Sequence, residues 1–279
     1  MRILSALFLF LAAPIMCASD ESVQVTSEGF HEYRLASPYQ AGETSLRVLL
    51  PENMDSNKRY KVLYVLPVHE DGLRSHGDGL VEVKKHNYHN KHQLICVAPA
   101  FTTKPWFADH DLNPKKQDES HFIKTVIPFV EKNYPVLTEK EGRPLIGFSK
   151  SGWGAIALIL RNPELFGKVV DWDIGIRADT GPITEEDRAE RIAREWGTVE
   201  NFEANRISNL VKTRGKDLGD KARLFYYSTE GTRAIGGVEI HRHLVENEIP
   251  HRYVMEPHRK HAWDSGWIPE AVEFLVSDD

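Results

Sequence analysis

Short apolar runs separated by helix-length segments recur through most of the chain, and this alternation restricts its folds more than any other feature. Residues 61–66 (KVLYVL), 94–98, 144–147 (PLIG), 168–174, 223–227 and 252–255 read as strands. Between them, 79–91 and 238–247 read as helices, and 269–276 as a last one. In 120–134, Phe122, Ile123, Val126, Ile127 and Val130 repeat at helical spacing, while 151–160 (SGWGAIALIL) is apolar enough to be buried all round. Strands joined through helices run parallel, so the expected class is α/β: a mainly parallel central sheet with helices on both faces. Two earlier runs, 31–36 and 44–50, read as neighbouring strands. With no internal repeat and no low-complexity linker, one domain over 20–279 is expected. The stretch 180–216 is long for one connection and rich in charge. It reads as a small helical cap over a site or as a solvated excursion, and its composition favours the excursion.

The N-terminus carries a different signal. Arg2 is followed by an apolar run, 3–11 (ILSALFLFL), and then by the small or polar Cys17, Ala18, Ser19 and Asp20. This is the pattern of a signal peptide over 1–19, with cleavage near Ala18 or Ser19 and a secreted or periplasmic mature chain. The run is well short of the roughly 20 residues that span a bilayer. Pro14 and Met16 fit a lipid-attachment motif at Cys17 badly. The second cysteine, Cys96, sits in an apolar strand, so no disulfide framework is expected. A formal charge of −6 without a dominant basic patch argues against nucleic acid as a partner.

The chemistry-bearing segment is Gly147-Phe148-Ser149-Lys150-Ser151-Gly152. An apolar strand enters it and an apolar helix leaves it, the setting in which a G-x-S-x-G turn presents a serine hydroxyl above a sheet. Ser151 stands where the second glycine of that pattern belongs, with Gly152 and Gly154 behind it. Ser149 is the candidate nucleophile. A base is needed to take its proton and return it to the leaving group. His261, between the last strand and the last helix, has the right place in the chain, and His258 is its rival. His86, His89 and His92, like His241 and His243, are spaced like metal ligands, but no cysteine or carboxylate set completes a zinc pattern. No metal and no cofactor is implied. In the loop 101–111 (FTTKPWFADHD), Trp106 and Phe107 are candidates for a pocket mouth or for core packing.

Residues 61–66, 127–134, 147–155 and 261–264 (HAWD) together resemble the esterase D-type branch of the α/β-hydrolases. That group includes feruloyl and acetyl-xylan esterases, S-formylglutathione hydrolases and mycolyltransferases, and the likeness runs from about Val62 to Leu275. It implies a serine triad and acyl transfer, usually to water. It also implies an oxyanion hole built from the N–H of Lys150 and one from the loop after the first parallel strand. Where the family has His-Gly, this chain reads Pro67-Val68-His69-Glu70-Asp71-Gly72, so Val68 or His69 would donate, Pro67 having no N–H. The family's acid follows the seventh strand in a Gly-Thr-x-Asp-like turn. Here that turn is Ser228-Thr229-Glu230-Gly231-Thr232, which offers Glu230, and Asp173 after the preceding strand is the alternative. The expected activity is hydrolysis of a carboxylic ester, small or polysaccharide-linked. A peptidase or thioesterase on the same scaffold, or a hydrolase-fold binding protein without competent chemistry, are the other readings.

Overall fold

A nine-stranded sheet organises the computed structural model, which describes residues 23–70, 76–174, 185–230, 232–256 and 258–277. The leader expected over 1–19 lies outside these residues. In space the strands run β1-β2-β3-β5-β4-β6-β7-β8-β9. β1 (Gln24–Val25), β2 (His31–Leu35) and β3 (Thr44–Leu49) pair antiparallel, and β3 pairs antiparallel with β5 (Ile95–Pro99). From there β4 (Val62–Val65), β6 (Leu145–Phe148), β7 (Val169–Trp172), β8 (Leu224–Ser228) and β9 (His251–Met255) are parallel.

Alternating side chains supply a core on each face. Leu145, Val169 and Tyr226 enter one cluster with Phe122, Val130, Trp153 and Leu158. Ile146, Val170 and Tyr227 enter the other with Leu80, Val83, Trp267 and Leu275. The first cluster is covered by α3 (Asp118–His121), α4 (Ile127–Asn133) and α5 (Lys150–Arg161), the second by α1 (Gly79–Lys85), with α2 (Tyr88–Lys91) behind it, and α10 (Ile268–Val276).

Two expected helices differ in detail. The helix read over 79–91 divides because Asn87 takes a left-handed conformation, φ 58°. The helix over 120–134 loosens into a π-turn at Phe122–Val126. Pro128 accounts for it: the ring lacks an N–H for the carbonyl four residues back and crowds it. No helix among the described residues is long and apolar enough to cross a membrane.

The connection after β7 corrects the solvated reading of 180–216. Residues 175–184 are not described, but α6 (Glu185–Glu195), α7 (Val199–Asn205) and α8 (Ile207–Arg214) pack onto the first cluster. Ile192, Trp196, Phe202, Ile207 and Val211 are all buried in it. Charges such as Glu186, Glu190 and Arg194 lie on the exposed face, and a few large apolar residues anchor the inner one. This segment is a helical cap on that core. Between β7 and β9, β8 leads into α9 (Thr232–Glu246) and thence to the last parallel strand.

The chain goes from β4 to β5 on one side and returns to β6 on the other. Ligand crevices of open α/β sheets lie at such a reversal, outside the carboxyl ends of the strands. Here those ends are Val65 and Phe148.

Candidate active site

Ser149 follows the last residue of β6 and precedes the first residue of α5. Its backbone has φ 55° and ψ −121°, a conformation that non-glycine residues rarely hold without support. The support comes from both sides. Its N–H donates to the Trp172 carbonyl at 2.8 Å, and its own carbonyl accepts from the Trp153 N–H at 3.1 Å. The tight turn also dictates its neighbours. A Cβ on Gly147 would lie 2.4 Å from the Ser151 carbonyl oxygen, and one on Gly152 would lie 1.3 Å from Asp171 Oδ1. Ser151 justifies its departure from glycine. Fully buried, its hydroxyl accepts from the Phe148 N–H and donates to the Phe148 carbonyl, both at 3.0 Å.

His261 is held over the elbow by the loop between β9 and α10. Trp172 Nε1 donates to the Lys260 carbonyl at 3.1 Å, and the Trp263 N–H donates to the His76 carbonyl at 2.9 Å. Trp263 is buried between Phe148 and Trp267. These anchors leave the His261 ring 4.5 Å from that of Phe148 and edge-on to His76 at 5.2 Å.

Nδ1 of His261 is hydrogen-bonded to Oδ2 of Asp173. Asp173 also has a positive φ, 56°, and its side chain is 1% exposed. Oδ1 accepts from Thr229 twice, from the N–H at 3.2 Å and the hydroxyl at 2.9 Å. Each oxygen thus has its own partners. Because an ionised carboxylate only accepts, this bond puts the proton on Nδ1 and leaves the Nε2 lone pair available as a base. Glu230, the other acid considered, is exposed and makes no hydrogen bond or ion pair among the described residues. His258 is exposed as well. The Ser149 hydroxyl makes no hydrogen bond among the described residues; such contacts are often long before substrate binds.

The candidate oxyanion donors lie at adjoining strand ends. The Lys150 N–H opens α5, while Val68 and His69 follow β4, whose extension is tied to β6 by the Leu66 N–H on the Ile146 carbonyl at 2.9 Å. Glu70 fixes the next turn by accepting from the Phe101 N–H at 2.8 Å. Asp71 and Gly72 lie outside the described residues.

The loop 101–111 splits between its two readings. Phe107 is core, fully buried against Gly154, whose added Cβ would meet the Phe107 ring at 2.1 Å. Trp106 is half-buried, and its N–H donates to Asp118 Oδ2 at 2.9 Å. Its ring packs edge-on to Trp153 at 5.6 Å and against Trp196 of the cap at 5.0 Å. Over that ring lie two cations, Lys150 Nζ at 5.3 Å and the Arg191 guanidinium at 4.7 Å. Burial draws the Lys150 amine down to about 7 and pushes the Asp118 carboxyl up to about 6.

Asp171, two residues before Asp173, carries no signal in the sequence that marks it out. It is wholly enclosed, and burial together with the Asp173 charge holds its carboxyl well above the usual range. His76, Trp196 and the side chain of Lys150 escape sequence reasoning in the same way. Lys150 alone leaves a trace, as a long cation directly after the candidate nucleophile. Among the described residues, no His, Cys, Asp or Glu side chains gather in threes as a metal site requires. His86 and His92 lie near Glu82 and Glu273, and His241 bonds to His251 at 2.8 Å.

Residues 37–172 match the esterase family (“Putative esterase”). Several solved structures share the fold. The S-formylglutathione hydrolase of Agrobacterium tumefaciens superposes with a TM-score of 0.72 at 12% identity, over 91% of this chain and 97% of its own. A fluorophosphonate-binding serine hydrolase of Staphylococcus aureus gives 0.70 at 19% identity, over 90% and 99%. A ferulic acid esterase of Anaeromyces mucronatus gives 0.59 at 19% identity, over 93% and 94%.

Proposed function

We propose that this chain, whose residues 37–172 match the esterase family, is a serine carboxylic-ester hydrolase working through Ser149, His261 and Asp173. The observation that carries the reading is the junction of a strained serine at the end of β6 with a His261–Asp173 pair packed on the residue just before it. Ser149 Oγ attacks the ester carbonyl carbon as His261 Nε2 takes its proton. The carbonyl electrons move to oxygen, where the Lys150 N–H and an N–H of Val68 or His69 receive them. Collapse of the tetrahedral intermediate breaks the bond to the leaving alkoxide, which takes the proton from His261. The acyl-serine is then attacked by water, again with His261 as base, and the acid leaves. Asp173 holds the imidazole in the Nδ1–H tautomer and stabilises its charged form. Glu230 has no part in this scheme.

The leader-like segment 1–19 supports export, and with it a role on extracellular esters such as acylated polysaccharide. Purified mature protein should release p-nitrophenol from short acyl esters. Replacement of Ser149 or of His261 by Ala should each lower kcat by about 10³ or more with little change in KM. Equal rates in wild type and Ser149→Ala would remove the proposal and favour a hydrolase-fold binder.

A further inference from the structure

Lys150 directly follows the candidate nucleophile and opens the helix behind it. Its backbone N–H opens α5 beside Ser149, and its side chain runs to the Trp106 ring, half-buried under the cap. Among the described residues the ammonium has no hydrogen bond and no ion pair. The carboxylates that act on it most strongly are occupied elsewhere. Glu195 is bound by Lys116 at 2.6 Å and by Arg194 at 2.9 Å. Asp118 accepts from the Trp106 N–H and from Gln40. Glu70 and the exposed Lys104 act on it only from a distance, with opposite signs. A desolvated cation held by an aromatic ring with no carboxylate of its own is costly to keep in a fold, and one placed next to the candidate nucleophile is explained by an anion that arrives with the substrate. Arg191 brings a second cation from the cap to the other contact on the same ring. Trp106 is itself held by Asp118, Trp153 and Trp196, so the arrangement is already formed without a substrate.

We propose that the surface formed by Lys150, Trp106 and Arg191 on the α5 side of Ser149 selects esters bearing a carboxylate, with Lys150 and Arg191 as its recognition residues and Trp106 as the flat wall along which the intervening carbon chain or ring lies. This rests on the ester-hydrolase reading above. Burial also tunes the device, because an ammonium drawn down to about 7 is charged in mildly acidic solution and largely neutral in mildly basic solution. The pH dependence belongs to the group formed by Lys150, Arg191, Lys104, Glu70, Asp118, Glu195 and Lys116.

The test uses two matched pairs, which separate a carboxylate on the acyl side from one on the leaving side. The first is p-nitrophenyl hydrogen adipate against p-nitrophenyl methyl adipate. The second is the butyrate ester of 4-hydroxybenzoate against that of methyl 4-hydroxybenzoate. The readout is the ratio of kcat/KM, anionic over neutral, within one enzyme, so any general loss in a variant cancels. Wild type should favour the anion in at least one pair. Lys150→Met should reduce that ratio about 10-fold or more, the range of a charge-assisted hydrogen bond, and Lys150→Arg should restore part of it. Arg191→Gln, on the cap, should reduce it independently. The wild-type ratio should fall between pH 6 and pH 8. Hydrolysis of the neutral esters with no anionic preference, or a preference untouched by both variants, overturns the inference and leaves the esterase reading standing. Hydrolysis of none of the four, with Ser149 unlabelled by a fluorophosphonate, overturns both.

Discussion

Replacing Asp173 by Asn removes a single charge and leaves the side-chain shape, and the surrounding bonds determine the consequence. The native carboxylate accepts from the Thr229 N–H, the Thr229 hydroxyl and His261 Nδ1. An asparagine has one oxygen and one amide nitrogen for the same three contacts. If its oxygen stays on Thr229, its NH₂ faces Nδ1, which must then accept. The imidazole proton moves to Nε2, where the base should be, and Ser149 loses its proton acceptor. If the amide turns over, its NH₂ meets the Thr229 N–H inside a site where Asp173 is 1% exposed, leaving buried donors unpaired at about 1–3 kcal/mol each. The first arrangement is the cheaper in stability and the costlier in rate. By analogy with other serine triads it should lower kcat by about 10³–10⁴, or roughly 4–5.5 kcal/mol of barrier, with KM nearly unchanged. Glu230→Gln, at an exposed position, should stay within about 2-fold. Steady-state hydrolysis of p-nitrophenyl butyrate by both variants, with thermal melts to confirm folding, measures this. Asp173→Asn keeping more than a tenth of wild-type kcat, or Glu230→Gln losing more than that, would refute the reasoning.

The packing sets four further outcomes. Ser151→Ala removes both hydroxyl bonds to Phe148 and should cost about 1–3 kcal/mol in chemical denaturation, with activity falling as the elbow loosens. Gly152→Ala drives a methyl into Asp171 and should abolish soluble folded protein or activity, whereas Asp171→Asn, replacing a carboxyl whose ionisation is disfavoured by burial and by the Asp173 charge, should keep kcat within about 3-fold. His121 is fully buried, and its imidazole is drawn down to about 4 by that burial, so from its ordinary 6.5 to 4 only the unfolded chain takes up the proton. Its contribution is therefore present above 6.5 and is lost as pH falls, about 2 kcal/mol by pH 5, and His121→Gln should show a shallower loss of stability between pH 7 and pH 5 than wild type.

The sheet was legible because the central parallel strands are short apolar runs with residues on two buried faces, as Leu145 and Ile146 or Val169 and Val170 show. The elbow was legible because its glycines are steric requirements that sequence records directly. The choice of acid was not. Asp173 and the turn at Thr229–Glu230 sit at adjacent strand ends, and which one faces the histidine depends on where the 258–267 loop is pinned. That pin is an indole hydrogen bond from Trp172 to Lys260, 88 residues along the chain. The cap was misread because the composition of α6 is dominated by its outward charges, while a handful of buried residues such as Ile192 and Trp196 decide where it packs. Lys150 was legible only through its backbone, since nothing in sequence brings Trp106 and Arg191 to its side chain.

The central claim is that Ser149 is an activated nucleophile. Mature protein treated with a fluorophosphonate should gain a single adduct by intact mass, and peptide mapping should place it on Ser149. The adduct should vanish in Ser149→Ala and form far more slowly in His261→Ala. No adduct on wild type, or one on a different residue, would contradict the account.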